Sequence, residues 1–204
     1  MTHPPPERLR AYGRAEADVT ARLLMEAHLC LCSCCSASVA EYQRVRGHLP
    51  EATLHDELDL LPFDRVWTAV KQARVALRRP REILPPSILA TLPPSGRWRL
   101  VAVWPAPVKV TVLIRDADTR TELRLYHWAP GSTLSRHRHL GLEENVILVG
   151  GYHIGDIRAD AGDWVVGACS ADEVVRAEDQ ECWYLSRVER PGVHFTRWRR
   201  GEAP

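Results

Sequence analysis

The stretch Gly131-Ser-Thr-Leu-Ser-Arg-His137-Arg-His139-Leu-Gly-Leu-Glu143-Glu-Asn-Val-Ile-Leu-Val-Gly150 decides the reading of this chain. Side chains alternate along a strand, so His137 and His139 lie on one side, and Glu143 rejoins them across the next turn. Two imidazoles and a carboxylate suit a divalent transition ion, with zinc, iron and manganese all acceptable. Short β-branched and aromatic runs divided by turn residues surround this stretch: Trp98–Trp104, Val108–Ile114, Glu122–Trp128, Asn145–Tyr152, Asp163–Val166 and Cys182–Val188. Runs of this length and spacing predict a sandwich or small barrel.

Upstream the pattern is helical. Candidate helices cover Pro4–Ala15, Asp18–Cys32 with Val19, Leu23, Ala27 and Leu31 at i,i+4 spacing, and Ser36–Gly47. A fourth carries Phe63, Val66, Trp67, Val70, Ala73 and Leu77 at helical period between Pro62 and Pro80. Between residues 80 and 94 the prolines Pro80, Pro85, Pro86, Pro93 and Pro94 suit an extended linker. The fold class is therefore α+β with two domains: a helical bundle over residues 1–80, a linker over 81–94 and an all-β domain over 95–195.

With 45% apolar and 26% charged residues the composition is that of a globular protein, which excludes disorder and coiled coil. Lys plus Arg number 27 against 26 acidic residues, a formal charge of +1, so no strong field gathers nucleic acid or an anionic membrane. No run reaches the roughly 20 apolar residues of a membrane helix, and Met1-Thr-His-Pro-Pro-Pro-Glu lacks the apolar core of a signal peptide. The expected location is the cytoplasm, where cysteines are metal ligands, reactive thiols or packing before they are disulfides.

Four of the six cysteines, Cys30, Cys32, Cys34 and Cys35, fall within six residues. His28-x3-Cys32-x2-Cys35 puts an imidazole and a thiolate one helical turn apart, with a second thiolate three residues on. His3 completes a tetrahedral zinc set if the first two helices form a hairpin that returns the N-terminus to this turn. Two thiolates and two imidazoles make a closed structural site, able to hold a bundle too small to be stable on apolar burial alone. The alternative is a set of small buried thiols around a core histidine. Cys30, Cys34, Cys169 and Cys182 have no assigned role.

Gly131-x5-His137-x-His139-x3-Glu143-x6-Gly150 is similar to the first cupin motif at every defined position. The second cupin motif begins at Gly162-Asp163 and then departs: Ala168, Ser170, Glu173 and Ala177 stand where it has Pro, Gly, His and Asn. Glu173 is still an oxygen donor; the alternative is a barrel without metal and Glu173 on a solvated loop. With the zinc motif, Ser95-Gly96-Arg97-Trp98, Ala129-Pro130-Gly131 and Ala161-Gly162-Asp163 in this order, the chain resembles the ChrR-type anti-sigma factors over nearly its whole length. The resemblance implies a zinc-binding anti-sigma domain joined to a cupin-like barrel, with zinc at His3, His28, Cys32 and Cys35 and a second divalent metal at His137, His139 and Glu143. It also implies that the N-terminal domain packs between the two core domains of an extracytoplasmic-function sigma factor and releases it on a stress signal, such as an oxidative one, sensed by the barrel.

Bottom-up, a zinc-stapled hairpin of this size leaves apolar faces uncovered, and the fourth helix, through Phe63, Val66, Trp67 and Val70, is the expected partner-binding stripe unless it packs back on the bundle or barrel. No catalytic residue is assigned. The competing reading is a metal-dependent cupin enzyme, a dioxygenase or isomerase, with a regulatory zinc domain, because two histidines and a carboxylate with open positions also bind oxygen-activating iron. A zinc-finger nucleic-acid binder is disfavoured by the near-zero charge.

Overall fold

The computed structural model describes residues 1–46, 86–89, 98–103, 105–134, 137–167 and 174–195. The expected fourth helix, with Phe63, Val66, Trp67 and Val70, lies outside the described residues, as do Cys169 and Glu173.

Three helices open the chain. Helix α1 (Pro6–Gly13) starts on a proline, whose missing N–H costs nothing in a first turn. Helix α2 (Val19–Leu31) is capped by Asp18, whose carboxylate accepts the Ala21 N–H at 2.8 Å. Cys32 ends it in extended conformation (φ −120°, ψ 101°), and α3 (Ser33–Arg46) leaves at 118° to α2. Helix α3 thus begins three residues before the expected Ser36. Among the described residues no single helix is long and apolar enough to cross a membrane. Within the stretch expected to be an extended linker, Pro86–Leu89 forms one helical turn, α4, whose Ile88 is fully buried and whose Ser87 hydroxyl donates to Glu26 at 2.6 Å.

The β half is built from antiparallel pairs. One sheet runs β1-β2-β3-β11-β6-β9, from β1 (Arg99–Ala102), β2 (Val108–Asp116), β3 (Thr121–Trp128), β11 (Cys182–Glu189), β6 (Glu143–Val149) and β9 (Trp164–Gly167). A second runs β4-β10-β7-β8, from β4 (Thr133–Leu134), β10 (Val175–Ala177), β7 (Gly151–Ile154) and β8 (Ile157–Asp160). A third pairs β12 (Val193–Phe195) with β5 (His137–His139). The run expected as one strand over Asn145–Tyr152 is two, broken at Gly150. There φ is +66°, and a Cβ would stand 2.1 Å from the Glu181 carbonyl oxygen, so only glycine fits.

Alternation divides the large sheet between two cores. One face packs a cluster including Val110, Tyr126, Trp128, Ile147, Tyr152 and Tyr184 inside the barrel. The other face, through Leu123, Leu125, Val146, Leu148, Trp164, Trp183 and Leu185, packs against Leu23, Leu24, Met25, Ala27 and Leu31 of α2 and Ile88 of α4. This corrects the expectation of uncovered faces for α2: the barrel covers it. Each large apolar side chain buried there contributes about 1.5–3 kcal/mol.

Charges close the edge of this joint. Glu144, on β6, takes a bidentate contact from Arg8 of α1 at 2.9 and 2.8 Å and a third donor from Arg187 of β11 at 3.2 Å. Arg187 also donates to Asp18 at 2.8 Å and to the Thr20 hydroxyl at 3.2 Å. Removing one partner of a buried pair typically costs about 3–5 kcal/mol, because the other charge stays buried. Arg187→Ala should lose stability of that order in urea unfolding of the full chain. Burial raises the Asp18 carboxyl, but the Thr20 hydroxyl, Arg187 and the Ala21 N–H outweigh it and hold the group below its ordinary value. A carboxyl so depressed stabilises fully above its unfolded value, about 3.9, and the contribution is lost as pH falls through the folded value. Unfolding of Arg187→Ala should therefore depend less on pH on the acid side than unfolding of the parent.

Candidate metal centre

Helix α2 brings His28 and Cys32 to its last turn, and the bend at Cys32 swings Cys35 back from the first turn of α3. His3 arrives from the segment before α1. One ligand atom from each of His3, His28, Cys32 and Cys35 lies within 4.8 Å of every other. The His3 Nδ1 is 3.4 Å from the Cys32 Sγ and 3.3 Å from the Cys35 Sγ. Zinc bonds of about 2.3 Å to sulfur and 2.0–2.1 Å to nitrogen at tetrahedral angles give edges of about 3.5 Å, which these separations approach.

The surroundings fit a cation. Both His28 ring nitrogens are buried and make no hydrogen bond of ordinary geometry among the described residues, the Gly162 backbone offering only a weak contact. Burial, reinforced by the charge of His3, pushes the His28 imidazole down to about 4, so at neutral pH it is in the ligating form. Burial and the adjacent Cys32 sulfur push the Cys35 thiol up to about 12. Two sulfurs this close resist ionisation unless a cation stands between them. His28, Cys32 and Cys35 are buried, and His3 forms the exposed rim. The other thiols differ: burial and the charge of Glu26 push Cys30 up to about 11, Cys34 is exposed, and Cys182 is sealed in the barrel core.

Part of this setting was not legible in the sequence. The Trp164 ring meets His28 edge-on at 5.7 Å, and Asp163, quoted above only as a fragment of a barrel motif, accepts hydrogen bonds from Thr2. No spacing rule connects residues 136 positions apart, as His28 and Trp164 are, or 161 apart, as Thr2 and Asp163 are; only the docking of α2 on the sheet does.

In the barrel, β5 and β6 bring the second constellation together in part. The His139 Nδ1 lies 3.1 Å from the Glu143 Oε2, and the His137 and His139 rings are 4.8 Å apart. The Ser186 hydroxyl, which the sequence did not single out, donates to the Glu143 Oε1 at 3.0 Å. Burial raises the Glu143 carboxyl, but His139, Ser186 and the charge of His137 outweigh it and hold it below its ordinary value. Gly167 of β9 abuts this pair, for a Cβ there would stand 3.0 Å from the His139 Cε1. His127 and His153 are paired with Glu181 at 3.1 Å and Glu178 at 2.8 Å.

Cobalt titration of the full chain separates the thiols, since only a thiolate ligand gives a sulfur-to-metal charge-transfer band and the barrel constellation contains none. Cys32→Ser and Cys35→Ser should each lose most of that band and at least tenfold in zinc affinity. Cys30→Ser and Cys34→Ser should keep both.

Residues 96–188 match the model of the ChrR cupin-like domain family. No curated protein matches the chain. Among solved structures, a chain of the crystal structure of Rhodobacter sphaeroides SigE in complex with the anti-sigma ChrR is 23% identical, with a TM-score of 0.67 over 93% of this chain and 99% of that one. An RmlC-like cupin protein from Ralstonia eutropha is 20% identical (TM-score 0.41, 48% of this chain and 66% of that one), and an acetylacetone dioxygenase from Acinetobacter johnsonii is 16% identical (TM-score 0.37, 40% and 59%). The chain is thus ChrR-like by sequence in its cupin segment and by fold over nearly all of its length.

Proposed function

We propose that the chain is an anti-sigma factor of the ChrR type, which holds an extracytoplasmic-function sigma factor inactive through its N-terminal zinc-binding helices and frees it when the cupin-like barrel senses a stress. The observation that carries this reading is the convergence of His3, His28, Cys32 and Cys35 in a chain whose fold follows that of a protein solved in a sigma-factor complex. In this reading zinc at the four residues is structural: it fixes the bend between α2 and α3 and supplies folding energy that three short helices lack. Phe63, Val66, Trp67 and Val70 supply the apolar contact with the sigma factor.

The barrel is the sensor, with a divalent zinc, iron or manganese ion held by His137, His139 and Glu143 and completed by Glu173. Joining a second carboxylate to Glu143 neutralises a divalent ion and favours hard-ligand metals. The outward face of the same sheet supports the coupling, because whatever changes the barrel changes the surface on which α2 rests.

Two experiments test this reading. The full chain, co-expressed with the extracytoplasmic-function sigma factor of the same organism, should co-purify with it and silence transcription from its promoter, and Cys35→Ser should do neither. A wild-type chain that leaves the promoter active would overturn the anti-sigma reading. For the barrel, metal content in the Cys32→Ser/Cys35→Ser background should fall on Glu173→Ala, fall further on His137→Ala and hold on Glu173→His. Equal content in the parent, Glu173→Ala and Glu173→His would remove Glu173 from the site and favour an open, three-ligand centre of the kind enzymes use.

A further inference from the structure

The zinc ligand His3 stands on no helix or strand. Its neighbour Thr2 is fastened to the barrel instead. The Thr2 N–H donates to the Asp163 Oδ1, the Thr2 hydroxyl donates to the Trp164 carbonyl at 2.8 Å and lies 3.2 Å from the Asp163 carboxylate, and the Trp164 N–H donates to the Thr2 carbonyl at 3.1 Å. One residue of the N-terminal segment is thus paired with the first residue of β9 much as a neighbouring strand would be. The Asp163 Oδ2 accepts the Asp160 N–H at 2.7 Å, so one carboxylate ties the β8–β9 turn to itself and to Thr2. Gly162, in that turn, has φ +93°, a backbone conformation that favours glycine, and the Met1 side chain lies against it.

Resting on the zinc reading above, we propose that Asp163, with the backbone of Trp164, is a positioning residue for the zinc centre: by holding Thr2 it delivers His3 as the fourth ligand. Three ligands, His28, Cys32 and Cys35, belong to one bend of the helical half and stay together however the barrel sits. The fourth is present only while the 161–164 turn is docked. The barrel therefore sets the coordination of an ion it does not itself ligate, and undocking the turn converts a closed four-ligand site into a three-ligand site open to water or thiol-directed reagents.

The test uses the full chain and the cobalt charge-transfer band, with affinity read by competition between zinc and cobalt. His3→Ala supplies the spectrum and affinity of the three-ligand site. Thr2→Pro removes the N–H and hydroxyl of Thr2 outside every helix and strand, Thr2→Ser keeps both, and Asp163→Ala removes the acceptor. Losses of the 10–100-fold typical when an outer-shell partner is removed are expected for Thr2→Pro and Asp163→Ala, with ligand-field bands shifted to those of His3→Ala, while Thr2→Ser keeps wild-type values. In the His3→Ala background Thr2→Pro should cost nothing more, a result that general destabilisation would not give. Wild-type spectra and affinity for Thr2→Pro, or an undiminished loss in the His3→Ala background, would overturn the positioning role and leave the zinc reading intact. A wild-type chain without a thiolate–cobalt band would overturn both.

Discussion

Strands β6 and β11 are used on both faces, and this double use is the constraint on which the rest of the molecule depends. Because successive side chains point to opposite sides, Glu143 faces the barrel interior with Ser186, while Glu144 and Arg187, one position on in each strand, face the helices. In most antiparallel sheets the second face meets water. Here it is a floor of Val146, Leu148 and Leu185, and α2 is the layer that covers it. A slip of one residue between β6 and β11 would exchange the two sets, placing Glu144 among the tyrosines and Glu143 under α1. The register Arg187↔Glu144 and Ser186↔Asn145 fixes both environments at once.

The helices gain from this floor what they do not have among themselves. Leu24 and Met25 are almost wholly buried, yet their neighbours are largely strands; three short helices would offer them little. Arg187 is a cation set between carboxylates from two elements, Asp18 at the start of α2 and Glu144 on the sheet. An apolar floor alone lets a helix slide. The Arg187 pairs, and the Thr20 hydroxyl 2.8 Å from that of Thr121, allow one placement along the strand direction.

The parts legible in the sequence were those governed by local rules. The span of the second helix from Asp18 to Cys32, the long strands β2, β3 and β11, and the four residues of the candidate metal centre each follow from spacing within a few turns or from one hairpin. The parts not legible depend on pairing across the chain. The two- to four-residue strands β4, β7, β8, β10 and β12 are too short to show a period, and they exist because a neighbour supplies their hydrogen bonds. The turn at Pro86–Leu89 reads as a proline-rich linker, and only the burial of Ile88 under α2 gives it a reason to be helical. Glu144 and Arg187 read as surface charges in strands, since nothing local announces that a helix will cover them.

Strand β9 is four residues long, and at about 3.4 Å per residue its ends are about 10 Å apart. Its first residue, Trp164, bonds to Thr2 and abuts His28, and its last, Gly167, abuts His139. A hydrogen-bonded strand bends far more readily than it stretches, so it acts as a strut between the two constellations. The axial position of one end fixes that of the other. The helical and β halves are therefore spaced by one short strand, with the segment that carries His3 at one end and the His139 ring at the other.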